Sequence, residues 1–190
     1  MSGKRKKETT AWNATGWRSV LLIAIMCVCS VTVCSAKAAA ETTTVRVIST
    51  TDIHGKTTTT DYDSSCEHNS GSLAQAATLI DKARSEITAG GSITVDVGDS
   101  IYGYSADVIR KQGNATVQPV YKAMKTIGYD AITLGNHDFD YGYQYVATQL
   151  EQAGLSSKCV LSNVYDVETG QTIWNQNMLL TKNLKTSKGN

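Results

Sequence analysis

Residues 131–134, Ala-Ile-Thr-Leu, form a short apolar and β-favouring run that stops at Gly135. Immediately beyond it stand an amide, an imidazole and two carboxylates: Asn136, His137, Asp138 and Asp140. Open α/β sheets bind ligands outside the carboxyl ends of their strands, so this cluster sits where such a sheet presents its chemistry. Two earlier runs end in the same way. Residues 45–49 alternate as Val-Arg-Val-Ile-Ser and lead into Asp52 and His54, and residues 92–97 lead into Gly98 and Asp99. A chain that ends successive strands in ligand-type residues is built to bring them to one edge.

The segments between these runs have helical periodicity. Ser72 is a good N-cap, and Leu73, Ala76, Ala77, Ile80, Ala83 and Ile87 recur at helical spacing up to a stop at Ala89-Gly90-Gly91. Helices are expected over 105–112 and over 119–127, where Pro119 takes the first helical position. Another is expected over about 143–153, ended by Gly154, followed by a fourth strand at 159–162. A turn signal at 167–170 predicts a hairpin within 164–180, and the polar residues 181–190 are expected to fray. The order β-α-β-α-α-β-α-β predicts an α/β fold with parallel strands covered by helices.

The first forty residues have a different character. Lys4, Arg5, Lys6, Lys7 and Arg18 precede an apolar run over 20–33, and small residues around Ala36, Ala38 and Ala40 fit a cleavage site. This is the anatomy of a signal peptide over 1–40, and the apolar run is short for a membrane span. The expectation is export to the periplasm, cell wall or medium, with no stable membrane span after cleavage. Residues 41–190 then hold 12 Lys and Arg against 16 Asp and Glu, a net charge of −4. That balance gives no electrostatic footprint for duplex nucleic acid. Only Cys66 and Cys159 lie beyond the leader, too few for a disulfide framework. Pairing between them and burial as free thiols both remain open. Tyr102, Tyr104, Tyr141, Tyr143 and Tyr145 cluster near the strand-end loops, and rim and core packing is expected for most of them.

The strand-end residues suggest metal chemistry. Asp52 and His54 offer one oxygen and one nitrogen from a chain that has just left its strand. The carboxylate of Asp99 has two oxygens, enough to bridge two ions. Asn136 can ligate through a neutral oxygen, leaving His137 free to move protons. Mixed carboxylate, imidazole and amide ligands suit Mn, Zn, Fe or Co better than Mg or Ca alone. A bridging carboxylate implies two divalent ions about 3.5–4 Å apart, an arrangement that clamps a phosphoryl centre.

In this order, Asp52-Ile53-His54, Gly98-Asp99 and Gly135-Asn136-His137-Asp138 resemble the D-x-H, G-D and G-N-H-[DE] series of the calcineurin-like metallophosphoesterases. Thr50-Thr51-Asp52-Ile53-His54, Gly71-Ser72-Leu73, the run from Pro119 to Ala123 and the run from Gly135 to Gly142 are similar to one group among them. That group is the exported bacterial 5′-nucleotidases and 2′,3′-cyclic-nucleotide 2′-phosphodiesterases, and the similarity runs over about 45–190. It implies a β-sandwich with flanking helices, here incomplete: the first βαβα half plus a C-terminal hairpin. The family pattern continues with a further histidine and a G-H-x-H motif that this sequence lacks. Residues 41–190 thus correspond to the N-terminal part of the catalytic domain, whose missing C-terminal half would be a partner.

Carried over, Asp52 and His54 would hold the first ion, Asp99 would bridge, and Asn136 would hold the second. His137 would assist at the phosphate, oriented by Asp140 or alternatively by Asp138. The implied activity is hydrolysis of a nucleotide substrate, a 2′,3′-cyclic nucleotide or a 5′-nucleotide, by a metal-activated hydroxide. The alternative is a truncated, non-catalytic remnant that binds metal weakly.

Overall fold

A computed structural model describes residues 43–59 and 71–185. The leader over 1–40, Cys66 and His68 lie outside these residues. Strand β1 (Thr44–Thr50) pairs in parallel with β2 (Gly90–Asp96), Val47 opposite Ile93, and β2 pairs in parallel with β3 (Ala131–Ile132). The sheet order is β1-β2-β3. Helix α1 (Leu73–Ser85) joins β1 to β2, and α2 (Tyr104–Lys111) and α3 (Pro119–Ile127) join β2 to β3. Beyond β3 come a 3-10 turn (His137–Phe139), α4 (Tyr143–Gln152) and a second 3-10 turn (Ser156–Lys158).

Local sequence explains these boundaries. Ser72 caps α1 by accepting the Gln75 backbone N–H at 3.3 Å, while the Gln75 side chain accepts the Ser72 N–H at 3.2 Å. This reciprocal box satisfies two N-terminal donors. The helix ends at Ser85, several residues before the expected stop. Gly90 and Gly91 instead open β2, and close backbone approach requires the glycine at 90. A Cβ on Gly90 would lie 1.8 Å from the Thr44 carbonyl oxygen, and one on Gly91 would lie 2.5 Å from the Leu184 side chain.

Paired residues of parallel strands share a face, so the sheet sorts its side chains into two sets. On the helix side, Thr94, Asp96 and Ile132 are buried. Arg84 of α1 donates to the carbonyls of Ile127 and Gly128 at 2.6 and 3.1 Å and to Thr94 Oγ1 at 2.8 Å. One guanidinium thus caps the end of α3 and ties two helices to β2. Tyr121, Tyr129, Leu73, Ile101, Met124, Leu150 and Leu155 fill the core on this side. On the opposite face none of Val45, Val47, Ile93, Val95 and Val97 is buried.

The later strands are shorter than the pattern predicts. β3 covers only Ala131–Ile132, although the Thr133 N–H still donates to the Asp96 carbonyl at 3.0 Å. The expected strand at 159–162 is reduced to single bridges, Ile132 to Cys159 and Val160 to Asn175. The expected hairpin is reduced to one bridge, Tyr165 to Thr172, closed by Asp166, which accepts the backbone N–H groups of Glu168 and Thr169. The tail is anchored further than its polar composition suggests: Lys185 exchanges two backbone hydrogen bonds with Gly90 at 2.7 and 2.9 Å. Cys159 carries a buried free thiol whose pKa burial pushes up to about 12. No helix among the described residues is long and apolar enough to cross a membrane.

Candidate metal centre

The parallel ladder does not stop where β1 and β2 end. The N–H groups of Asp52, His54 and Gly55 donate to the carbonyls of Gly98, Asp99 and Ser100 at 3.0, 3.0 and 2.8 Å. The two loops therefore leave the sheet side by side. Within them Asp52, His54 and Asp99 have φ values of +55°, +48° and +57°, and they are the non-glycine residues with positive φ among the described residues. Left-handed backbone is tolerated best by Asp, Asn and His, and it costs on the order of 1–3 kcal/mol per residue elsewhere. The surrounding hydrogen bonds hold the chain there, and the result is convergence. One ligand-type atom from each of these three residues lies within 4.8 Å of the others.

These atoms suit an ion better than one another. His54 Nε2 stands 3.7 Å from Asp52 Oδ1 and 3.9 Å from Asp99 Oδ2, too far for hydrogen bonds. It is buried and has no hydrogen-bond partner. A buried ring nitrogen without a partner, facing two carboxylates, is the donor set of a divalent cation bound at about 2.0–2.2 Å per ligand. The residues present therefore fit a metal.

The third loop packs against this group. The His137 N–H donates to Asp99 Oδ1 at 2.9 Å, and the His137 ring lies edge-on to that of His54, with centroids 5.5 Å apart. His137 Nδ1 donates to Asp140 Oδ2 at 2.9 Å. That bond is the main cause that raises the His137 pKa above its ordinary 6.5. With Nδ1 engaged, Nε2 is the ring nitrogen left to exchange a proton. Asn136 is exposed at the start of the 3-10 turn, adjacent to His137 in the chain.

Asp138 does something else. It is fully buried and accepts backbone N–H groups from Asp99, Ser100, Ile101 and Gly135. Of the two acids left open by the sequence, Asp140 pairs with His137 and Asp138 knits loops together.

Two further residues escape motif reasoning. Tyr102 stacks on the His137 ring with centroids 4.2 Å apart and lies edge-on to His54, so an aromatic wall flanks both histidines. Its place in a strand-end tyrosine cluster was the available signal. Asp96 lies on the sheet beneath the centre and accepts Thr50 Oγ1, Ser100 Oγ and the Gly98 N–H at 2.6, 2.8 and 3.1 Å. Burial pushes its pKa up from 3.8 to about 6. Its position inside a strand gave no hint of this role.

No protein-family model matches the chain. It is 36% identical over 157 residues to a 2′,3′-cyclic-nucleotide 2′-phosphodiesterase/3′-nucleotidase from Yersinia enterocolitica, an alignment covering 80% of this chain and 23% of the relative. It is 31% identical over 157 residues to a 5′-nucleotidase from Vibrio vulnificus, covering 82% of this chain and 26% of that protein. The chain thus spans about a quarter of the length of these relatives. Among solved structures, the calcineurin-like phosphoesterase YfkN from Bacillus subtilis superposes with a TM-score of 0.67 at 30% identity, over 76% of this chain and 44% of the other.

Proposed function

We propose that this chain, which shares the calcineurin-like phosphoesterase fold over 76% of its length, supplies the metal-binding and proton-transferring half of an exported phosphoesterase acting on nucleotides. The observation that carries this reading is the convergence of Asp52, His54 and Asp99 on one point beside the His137–Asp140 pair. The kinship with enzymes named for 2′,3′-cyclic-nucleotide 2′-phosphodiesterase, 3′-nucleotidase and 5′-nucleotidase activity supports the substrate class.

In this reading Asp52 and His54 would hold one divalent ion, Mn, Zn, Fe or Co, Asp99 would be shared with a second, and Asn136 would contribute to that second ion. When bound, such ions supply Lewis-acid charge neutralisation at phosphorus and lower the pKa of water at the site. The chain's own residues do the rest. Asp140 fixes the His137 ring and keeps the proton on Nδ1, so that Nε2 can stabilise or protonate the leaving oxygen. Tyr102 stacks on one face of that ring. The apolar leader and its small-residue cleavage site support export of residues 41–190, checked by N-terminal sequencing of secreted protein. An intact Met1 form recovered in the membrane fraction would overturn it.

A second reading rests on the coverage of the relatives: with a quarter of their length, the chain would be a non-catalytic piece that binds metal weakly. Calorimetry with Mn and Zn on the full chain, together with hydrolysis of bis-p-nitrophenyl phosphate and 2′,3′-cyclic AMP, separates the two. Binding that Asp99→Asn weakens, with turnover, supports the phosphoesterase. Binding without turnover supports the remnant. Equal binding by wild type and Asp99→Asn removes the assigned bridge.

A further inference from the structure

Asp138 is the acid that the family-like motif places beside His137, yet its carboxylate is sealed from solvent and engaged by backbone N–H groups. Its Oδ2 accepts the N–H groups of Asp99 at 2.8 Å and Gly135 at 2.9 Å. Its Oδ1 accepts those of Ser100 and Ile101, both at 2.9 Å. Four donors on two oxygens use the acceptor capacity that an ionised carboxylate has and an amide lacks. Three of the donors are consecutive. Successive N–H groups converge in this way when a left-handed residue opens the turn, which forms a concave backbone nest for an anion. Here the left-handed residue is Asp99, at φ +57°.

The strain at Asp99 and the anion in the nest therefore belong together. An aspartate at positive φ is disfavoured unless its surroundings over-determine it. The Asp138 carboxylate does so from one side. On the other side the Asp99 carbonyl accepts the His54 N–H at 3.0 Å, and Asp99 Oδ1 accepts the His137 N–H at 2.9 Å. With the backbone so held, Oδ2 stands 3.9 Å from His54 Nε2. The bond from Gly135 also ties the third strand-end loop to the second, which brings His137 up to the same carboxylate.

We infer that Asp138 is the positioning residue of the metal centre: its buried carboxylate holds Asp99 in the left-handed conformation that turns the Asp99 side chain towards His54. This rests on the reading of Asp52, His54 and Asp99 as a metal centre and adds the group that sets its geometry. Asp138 touches neither ion nor substrate.

The test is Mn affinity by calorimetry on the full chain, for wild type, Asp138→Asn and Asp138→Glu, with the metal-free unfolding midpoint measured in parallel. Ile132→Ala, a change in the buried core at a residue that is no proposed ligand, serves as the stability control. Groups that orient metal ligands typically change affinity by about 10–100-fold when replaced. Asp138→Asn, folded at the temperature used, is expected to bind Mn about ten-fold more weakly or worse, while Ile132→Ala stays within about two-fold of wild type. Visible absorption of bound Co is expected to differ between wild type and Asp138→Asn, reporting a changed ligand geometry that loss of stability alone does not produce. Asp138→Glu, which keeps the charge, is expected to fall between wild type and Asp138→Asn.

Equal affinity and equal Co absorption in wild type and Asp138→Asn overturn the inference while leaving the metal centre standing. So does an equal loss in Ile132→Ala, or failure of both Asp138 variants to fold, since the residue is then merely structural. If wild type binds no Mn, the metal centre and this inference fall together.

Discussion

Gly135 and Asp99 approach so closely that a side chain at 135 has no room: a Cβ there would lie 2.2 Å from Asp99 Oδ1 and 2.8 Å from the Asp99 nitrogen. Gly98 meets the same loop from the other side, with a Cβ position 2.2 Å from the Gly135 nitrogen. The two glycines let the second and third strand-end loops touch backbone to backbone, and the Asp99 carboxylate lies in that contact. Gly135→Ala is therefore expected to displace the carboxylate, weakening Mn binding by about ten-fold. It should also destabilise the chain by about 1–3 kcal/mol through overpacking. Calorimetry and denaturant unfolding measure the two effects separately, and unchanged Mn affinity would show that the contact is not needed to aim Asp99.

Asp96 gives the fold a pH dependence with a definite sign. Burial raises its folded pKa from 3.8 to about 6, so between those values the folded protein holds a proton that the unfolded chain releases. Its contribution is fully present below pH 3.8 and is lost as pH rises towards and through 6. At 1.36 kcal/mol per pKa unit the loss is at most about 3 kcal/mol. Asp96→Asn, which stays neutral and can still accept from Gly98, is expected to flatten this part of the stability–pH curve. Unfolding free energies of wild type and variant at pH 4 and pH 7 check it, and parallel curves would exclude Asp96 as the source.

The His137–Asp140 bond predicts a shift in the opposite member of the pair. Because the Asp140 hydrogen bond is the leading cause that raises the His137 pKa, Asp140→Asn is expected to lower it. Proton NMR titration of the imidazole in metal-free protein reads this directly. An unchanged midpoint would mean that the pair is not formed in solution.

The two faces of the sheet should respond differently to truncation. Ile132 is 2% exposed on the helix side, whereas Val47 is 66% exposed on the other. Ile132→Ala is expected to cost about 2–5 kcal/mol through lost burial and a residual cavity. Val47→Ala is expected to stay within about 0.5 kcal/mol. Denaturation midpoints of the two variants test the assignment of faces, and comparable losses would mean that something covers the Val47 side.

The alternation of strand and helix was legible in the amino-acid sequence because it is written in local periodicity. The cap at Ser72, the start of α3 at Pro119 and the strand-end positions of Asp52, His54 and Asp99 all follow from residues a few places apart. Short strands were harder to bound. The runs at 131–134 and 159–162 have β-favouring side chains, but ladder length depends on what pairs across the sheet, and here the first keeps a two-residue strand and the second only single bridges. Gly90 and Gly91 mark a helix stop in a local pattern, yet they open β2, where Gly90 lies against the Thr44 backbone of β1.

The division of labour between Asp138 and Asp140 was beyond the reach of spacing altogether. Both acids flank the same histidine, and either could meet it by rotation about a few bonds. The tertiary structure decided between them by supplying a cluster of N–H donors, three of them from the loop after β2, almost forty residues earlier in the chain. Those donors needed an anion, and burying Asp138 among them left Asp140 at the exposed face for His137. A short motif specifies which chemical groups reach the sheet edge. Only the backbone donors brought there by distant strands determine which group each carboxylate must satisfy.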